Sequence, residues 1–319
     1  KGTRWRISWI PLGGYVKFKG DENAASIPTQ DELETLSPEQ RKGNFHALPV
    51  GPRAAVVAAG PLSNFVLAIV IFTAWFMVMG KVIIEPRIDV VSPDSPAARA
   101  GLQPHDLIVA IDGKSIKSFD DIQRIVMLSA GVELSLEVER DGKRVALKAT
   151  PELRETKDPF GNTAKVALLG VSRSQKGEKE RVERYGFLEA FGKSLSETYF
   201  FAKQPVMFFK ELIAGKASSD QLGGPIRIAQ YSHQVATRGV AVLIHWTAII
   251  SISIGLINLF PIPVLDGGHL LFYGIEAIAG HPLSQRAQEI GFQIGFALIL
   301  VLMIVATWND VIHLWGRLG

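Results

Sequence analysis

The chain has 319 residues, 47% hydrophobic and 20% charged, with a mean hydropathy of +0.20, which excludes a disordered or fibrous protein and disfavours an ordinary soluble enzyme. It contains no cysteine, so disulfides, thiol nucleophiles and thiolate metal sites are excluded, and any metal must be held by His, Asp or Glu. The net charge is +3, with 34 Lys/Arg and 31 Asp/Glu intermixed, which argues against a nucleic-acid partner.

The chain starts at Lys1 rather than Met and shows no signal peptide, so its natural N-terminus is expected upstream. Residues 1–20 predict a β-hairpin, with Trp5, Ile7 and Trp9 on one strand and Tyr15, Val16 and Phe18 on the other, around the turn Pro11-Leu12-Gly13-Gly14. Residues 21–53 read as an exposed loop, polar over most of their length. Eight Lys/Arg within 1–53 place this end on the cytoplasmic side by the positive-inside tendency. Residues 54–80 carry no charge over 27 positions, enough for a helix to cross the ~30 Å hydrocarbon core.

Residues 81–238 are polar and are expected outside. Within them, Arg87 to Val91 is strand-like, Pro96 to Gly101 a short helix, and Leu107 to Ile111 a strand ending at the hairpin signal Asp112-Gly113. Phe119 to Ser129 has helical period, and the strands Leu134 to Val138 and Val145 to Ala149 flank Asp141-Gly142. A charged linker follows from Ser174 to Arg184. Residues 185–213 then predict an amphipathic helix with Phe191, Leu195 and Tyr199 on one side and Glu189, Lys193 and Glu197 opposite. Its six charges make it too polar to span, so it lies at the membrane interface or packs on the soluble module. Residues 239–275 form a second span, broken by Pro261 and Pro263, and residues 290–308 a third; a fourth arises if the stretch after Asp266 re-enters.

Asp266 is the one formally charged residue in the 37 positions from Gly239 to Ile275, and a carboxylate at such depth costs ~2.5–3.5 kcal/mol or more, so it marks a metal site, an ion path or a paired charge. The plainer reading is an N-cap for a helix starting at Gly267. Asn258 either donates to a substrate carbonyl or bonds a neighbouring helix, and His269 is either a second ligand or an outer-sphere residue. The seven histidines include no pair four apart and no His-Glu dipeptide, so a zinc-protease helix of the His-Glu-x-x-His type is absent from the chain.

The run Asn258-Leu259-Phe260-Pro261-Ile262-Pro263-Val264-Leu265-Asp266-Gly267-Gly268 resembles the C-terminal metal-ligand motif of the site-2 protease family of intramembrane zinc metalloproteases. Ile10 to Lys17 resembles that family's membrane-associated hairpin and Ala59 to Phe65 the start of its second span. Ala100 to Ile108 with Ile111-Asp112-Gly113 resembles a PDZ domain, although many such domains have Gly where His105 stands. The similarity covers nearly the whole chain and is nearest to the bacterial regulator-of-sigma-E (RseP-type) branch, with one PDZ segment rather than two.

The resemblance implies a polytopic α-helical membrane protein with a membrane-associated β-hairpin and an inserted extracytoplasmic PDZ (α/β) domain at residues 85–173. It implies a bacterial inner-membrane location, with the PDZ domain on the periplasmic side. It implies Zn²⁺ held by Asp266 and by two histidines of a His-Glu-x-x-His span whose Glu is the general base. Those three are expected upstream of Lys1, so no catalytic residue is assigned within the chain, which alone is expected to be inactive. Asn258, Pro261 and Pro263 would position an unwound substrate, and the hairpin with Gly13, Gly14 and Tyr15 would hold it by strand addition. The expected partners are the lipid bilayer, membrane-spanning substrates such as anti-sigma factors, and a peptide C-terminus at a PDZ groove edged by Leu168 to Val171. The main alternative is a non-catalytic membrane-anchored PDZ scaffold. A transporter with a broken helix leaves the hairpin and PDZ segment unexplained.

Overall fold

A backbone shielded from water must satisfy its own polar groups, so the charge-free runs become helices, while the alternating stretches between them pair as strands. The structure, a computed structural model, describes residues 44–157, 163–173, 181–215, 219 and 222–318. The 1–20 hairpin, with Gly13, Gly14 and Tyr15, lies outside the described residues, as does most of the 21–53 loop. The end of that loop departs from expectation. Asn44, Phe45 and His46 are buried, Asn44 Oδ1 accepts from the His46 N–H at 2.9 Å, and residues 50–53 are already helical.

Helix α1, Val50–Val78, thus begins four residues before the 54–80 run. Strand β1 (Lys81–Ile83) follows, then β2 (Val90–Val91), α2 (Pro96–Arg99), β3 (Leu107–Ile111), β4 (Lys114–Ser115) and α3 (Phe119–Met127). Next come β5 (Leu134–Arg140), β6 (Lys143–Ala149), β7 (Glu152–Lys157), β8 (Thr163–Leu168), β9 (Val171–Ser172) and β10 (Arg181–Glu183). β4, β3, β5 and β6 form an antiparallel sheet in that order, and β7–β8, β2–β9 and β1–β10 are antiparallel pairs. The Ser174 to Arg184 linker therefore ends in a paired strand, not in free chain. The turns at Asp112-Gly113 and Asp141-Gly142 have positive φ at both residues, the type I′ geometry that matches the twist of the flanking strands.

Alternation on β5 turns Leu134, Leu136 and Val138 inward, where they join Ile88, Ile108, Ile111, Ile122 and Leu169 in one core. Ser118 and Asp121 close a reciprocal capping box at the start of α3. Asp106 is buried. Burial acts to raise its pKa, but two 2.7 Å hydrogen bonds from Arg140 and one from the Gln103 N–H outweigh that and hold the carboxyl below the usual range. The segment Leu168 to Val171 is not a continuous edge strand. β8 ends at Leu168, and the Leu169 and Gly170 carbonyls accept from the N–H groups of Ala97 and Ser92. Gly170, at φ +82°, lies so close to Ser95 that a Cβ there would overlap its side chain.

Helix α4 is Phe187–Ile213 and α5 Pro225–Ala236. The run 239–275, broken at its prolines, holds two helices, α6 (Val240–Asn258) and α7 (Asp266–Ala279), with Pro261 and Pro263 between them. The 290–308 run lies inside the longer α8, Gln285–Leu318. Among the described residues, three helical stretches are long and apolar enough to cross a membrane: Val50–Val78, Val240–Asn258 and Gln285–Trp315.

The chain divides into two units, one of Lys1–Leu62 with Ile257–Leu300, the other of Ser63–Leu256 with Val301–Gly319. In the second, Ala68, Phe72 and Phe76 of α1 pack with Ala190 of α4 and with Ala248 and Ile252 of α6. Thr73 Oγ1 and Ser194 Oγ are 2.9 Å apart, and Ser251 donates to Asn64. Phe191, Leu195 and Tyr199 of α4 are exposed, and Glu197, on the opposite side, is buried in a bidentate pair with Arg124 of α3 at 2.7 and 2.8 Å.

Candidate active site

The first unit contains the break between α6 and α7. Asn258 is the last residue of α6 and is half-buried. Pro261 and Pro263 have no N–H to continue a helix, and the chain turns through short contacts, with the Ile262 N–H on the Phe260 carbonyl at 2.7 Å and the Leu265 N–H on the Ile262 carbonyl at 3.0 Å. Val264 has φ +101°, an outlier for a β-branched residue and a local store of strain.

The turn is held from both sides by glycines. A Cβ on Gly267 would collide with the Leu259 and Phe260 carbonyls, and one on Gly268 would sit 2.5 Å from the Ile262 carbonyl oxygen and the Pro263 Cα. The 259–263 strand of chain therefore folds directly over the first turn of α7. From α8, Gly291 and Gly295 receive Pro263. A Cβ on Gly291 would lie 3.5 Å from its ring, and one on Gly295 would overlap its carbonyl.

Asp266 is the first residue of α7. Leu265 occupies the N-cap and makes no side-chain cap bond, so the carboxylate is not the cap residue. It is half-buried, and Gly60 of α1 faces it, so that an added Cβ would stand in van der Waals contact with Asp266 Oδ2 at 3.4 Å. His269, one turn on, is half-buried, with its ring 5.5 Å from Phe292 and 6.5 Å from Tyr273. Pro261 is exposed and Pro263 half-buried.

The structure thus joins Asp266 to the Pro-Pro turn and to Gly60, while Asn258 stands at the far end of the break. Among the described residues no three His, Asp or Glu converge to hold a metal, so they supply one candidate donor and not a set. Three features escaped the sequence reading: Gly60 against the carboxylate, the Gly291/Gly295 seat for Pro263, and Asp310. The second is a small-xxx-small pattern legible in the sequence. Asp310, in the second unit, lies just beyond the charge-free run that ends at Trp308. It is 2% exposed and accepts from the backbone N–H groups of Gly224 and Arg227 at 2.9 and 3.0 Å.

The model of peptidase family M50 matches residues 1–302. The chain belongs to this family, the site-2 proteases. Similar M50 relatives include a Rhizobium meliloti (strain 1021) protein bearing a zinc metalloprotease name, 44% identical over 99% of this chain and 84% of its own length. Another is metalloprotease MmpA of Caulobacter vibrioides, 39% identical over 98% of this chain and 83% of its own length. Among solved structures, the M50 chain is similar to the PDZ domain of an SdrC-like protein from Listeria monocytogenes, at 22% identity and TM-score 0.23, covering 29% of this chain and 90% of that one. An HtrA-type protease with a decapeptide matches at 35% identity and TM-score 0.21, covering 22% of each chain. This M50 protein is a helical membrane protein with small sheets and PDZ-like structural neighbours.

Proposed function

We propose that this M50 protein is an intramembrane zinc metalloprotease that cleaves the membrane-spanning segments of membrane-anchored regulators such as anti-sigma factors, in the inner membrane of a bacterium. The observation that carries the reading is the placement of Asp266: a half-buried carboxylate at the start of α7, faced by a glycine, immediately after a helix broken by two prolines. Zinc, when bound, lowers the pKa of a water and polarises a scissile carbonyl, and Asp266 is the donor this chain would bring to it.

The chain's other residues serve the substrate. A helical substrate has its carbonyls occupied and must be unwound. The interrupted backbone at 259–265 offers non-helical peptide groups beside the carboxylate, and the Asn258 amide at the end of α6 can hydrogen-bond an extended segment. Gly13, Gly14 and Tyr15, in the hairpin that the sequence predicts, would add a strand to the same segment. Residues 85–173, as a PDZ module on the periplasmic side, would screen substrates by size or by C-terminus.

The test is cleavage of a model membrane peptide by the intact membrane protein and by its Asp266→Ala variant, with zinc content measured on both. Loss of turnover together with loss of bound zinc is expected for the variant. Equal turnover by the two proteins overturns the assignment of Asp266. An intact protein that cleaves nothing while still binding peptides at residues 85–173 overturns the protease reading in favour of a scaffold.

A further inference from the structure

Helix α7 carries a polar stripe that the motif does not account for. Asp266, His269, Tyr273 and Glu276 fall at spacings of three, four and three, which at 3.6 residues per turn places them within about 80° of one another on one face. Two of them, Tyr273 and Glu276, meet one side chain of α1. The Arg53 guanidinium pairs with the Glu276 carboxylate and its carbon lies 4.8 Å over the centre of the Tyr273 ring. Arg53 Nε also donates to the Leu48 carbonyl at 3.0 Å, just before α1 begins. Arg53 is 8% exposed, and the Arg53 and Glu276 side chains are 10% and 15% exposed. A guanidinium this buried is held in place by all three partners at once, because any other rotation of α7 would leave its charge unpaired.

We propose that Arg53 and Glu276 are positioning residues that fix the rotation of α7 about its axis and thereby aim the Asp266 carboxylate. Arg53 of α1 meets Tyr273 and Glu276 of α7, and Gly60 of α1 stands opposite Asp266, where an added Cβ would come to 3.4 Å from Oδ2. Ten residues of helix separate Glu276 from Asp266, about 15 Å. A rotation at the ion pair is transmitted through that rigid length to the carboxylate. Gly60 lies opposite the Asp266 carboxylate in the observed rotation, so the distance between positions 60 and 266 reports that rotation. The proposal rests on the proteolytic reading for its effect on turnover, but its geometry can be measured without it.

The chain has no cysteine, so engineered pairs report cleanly. Oxidative cross-linking is read in the intact membrane protein carrying Gly60→Cys with Asp266→Cys, and as a control Thr73→Cys with Ser194→Cys, whose hydroxyls lie 2.9 Å apart in the other unit. Each pair is combined with Glu276→Gln, with Arg53→Lys, and with the charge reversal Arg53→Glu/Glu276→Arg. In the single variants the 60–266 cross-link is expected to fall several-fold while the 73–194 cross-link is unchanged, and the charge reversal is expected to restore it. In proteins retaining Asp266, Glu276→Gln is expected to lower kcat about tenfold with KM unchanged. An unchanged 60–266 cross-link in Glu276→Gln overturns the proposal. So does parallel loss of both cross-links in every variant, since the pair would then hold the fold without aiming the carboxylate. If even the parent protein cleaves nothing, the proteolytic reading fails while the cross-links still decide the positioning role.

Discussion

His105 sits at φ +74°, a left-handed conformation that costs an L-residue roughly 1–2 kcal/mol and a glycine almost nothing. It is kept there because its N–H donates to the Ile88 carbonyl at 2.7 Å and its carbonyl accepts from Arg87, both of which serve the turn into Asp106. Gly is therefore the residue the backbone prefers at this place. Replacing His105 with Gly is expected to stabilise the module by about 1 kcal/mol, less a few tenths for the added freedom of the unfolded chain. Resistance to urea-driven proteolysis of the detergent-solubilised protein measures it, and a destabilised variant would show that the imidazole makes a contact worth more than the strain. Asp266 was legible at this scale, because a lone carboxylate in a charge-free run has a physical cost that any reader of the sequence can assign. Gly60 was not. Nothing local distinguishes it from other helical glycines until α7 brings a carboxylate against it.

Helices were legible where water is excluded, but their ends and faces were less so. In the charge-free run 239–275 hydropathy alone does not register the turn, whose residues are as apolar as the helices it joins, and the two prolines are what mark it. On α4 the limit is of another kind. Opposite the apolar stripe, Glu197 is buried because a partner 73 residues away in sequence brings the matching guanidinium, a pairing that helical period alone does not show. The packing of α8 on the Pro-Pro turn gives a test at this scale. Gly291 and Gly295 both face Pro263, but a Cβ at 291 would meet the tip of the Phe272 ring at 3.1 Å, whereas one at 295 would meet a carbonyl that cannot swing aside. Gly295→Ala is expected to cost about 1–3 kcal/mol and to impair cleavage, and Gly291→Ala less than about 1 kcal/mol with activity kept. Thermal unfolding in detergent beside a cleavage assay separates them, and equal effects would mean that the turn moves as easily as the ring.

At the scale of the molecule, the Arg124–Glu197 pair ties the sheet-bearing module that contains α3 to helix α4. Arg124 belongs to α3 of the module and Glu197 to α4, which itself packs on α1 through Ala190 and Ser194. The guanidinium makes two hydrogen bonds to the carboxylate and lies 4.5 Å from the Phe200 ring centre. Burial acts against its charge, and Glu197 with Asp120 and Asp121 more than offsets it, so the guanidinium is held above its ordinary pKa and stays charged at every working pH. Loss of Arg124 strips the buried Glu197 of its bidentate partner, and loss of Glu197 leaves Arg124 only the Asp120 carboxylate at 3.7 Å. Because Arg124 is about a quarter exposed, the cost should fall below the roughly 3–5 kcal/mol of a fully buried pair, near about 2 kcal/mol. The effect should also be reciprocal. Arg124→Ala is expected to raise amide exchange in α4 around Glu197, and Glu197→Ala to raise it in α3, each in the element not mutated. The double variant should lose less than the sum of the two, since it removes the stranded charge as well as the bond. Exchange confined to the mutated element, or strict additivity, would mean that the module and the helices are coupled through their apolar contacts instead.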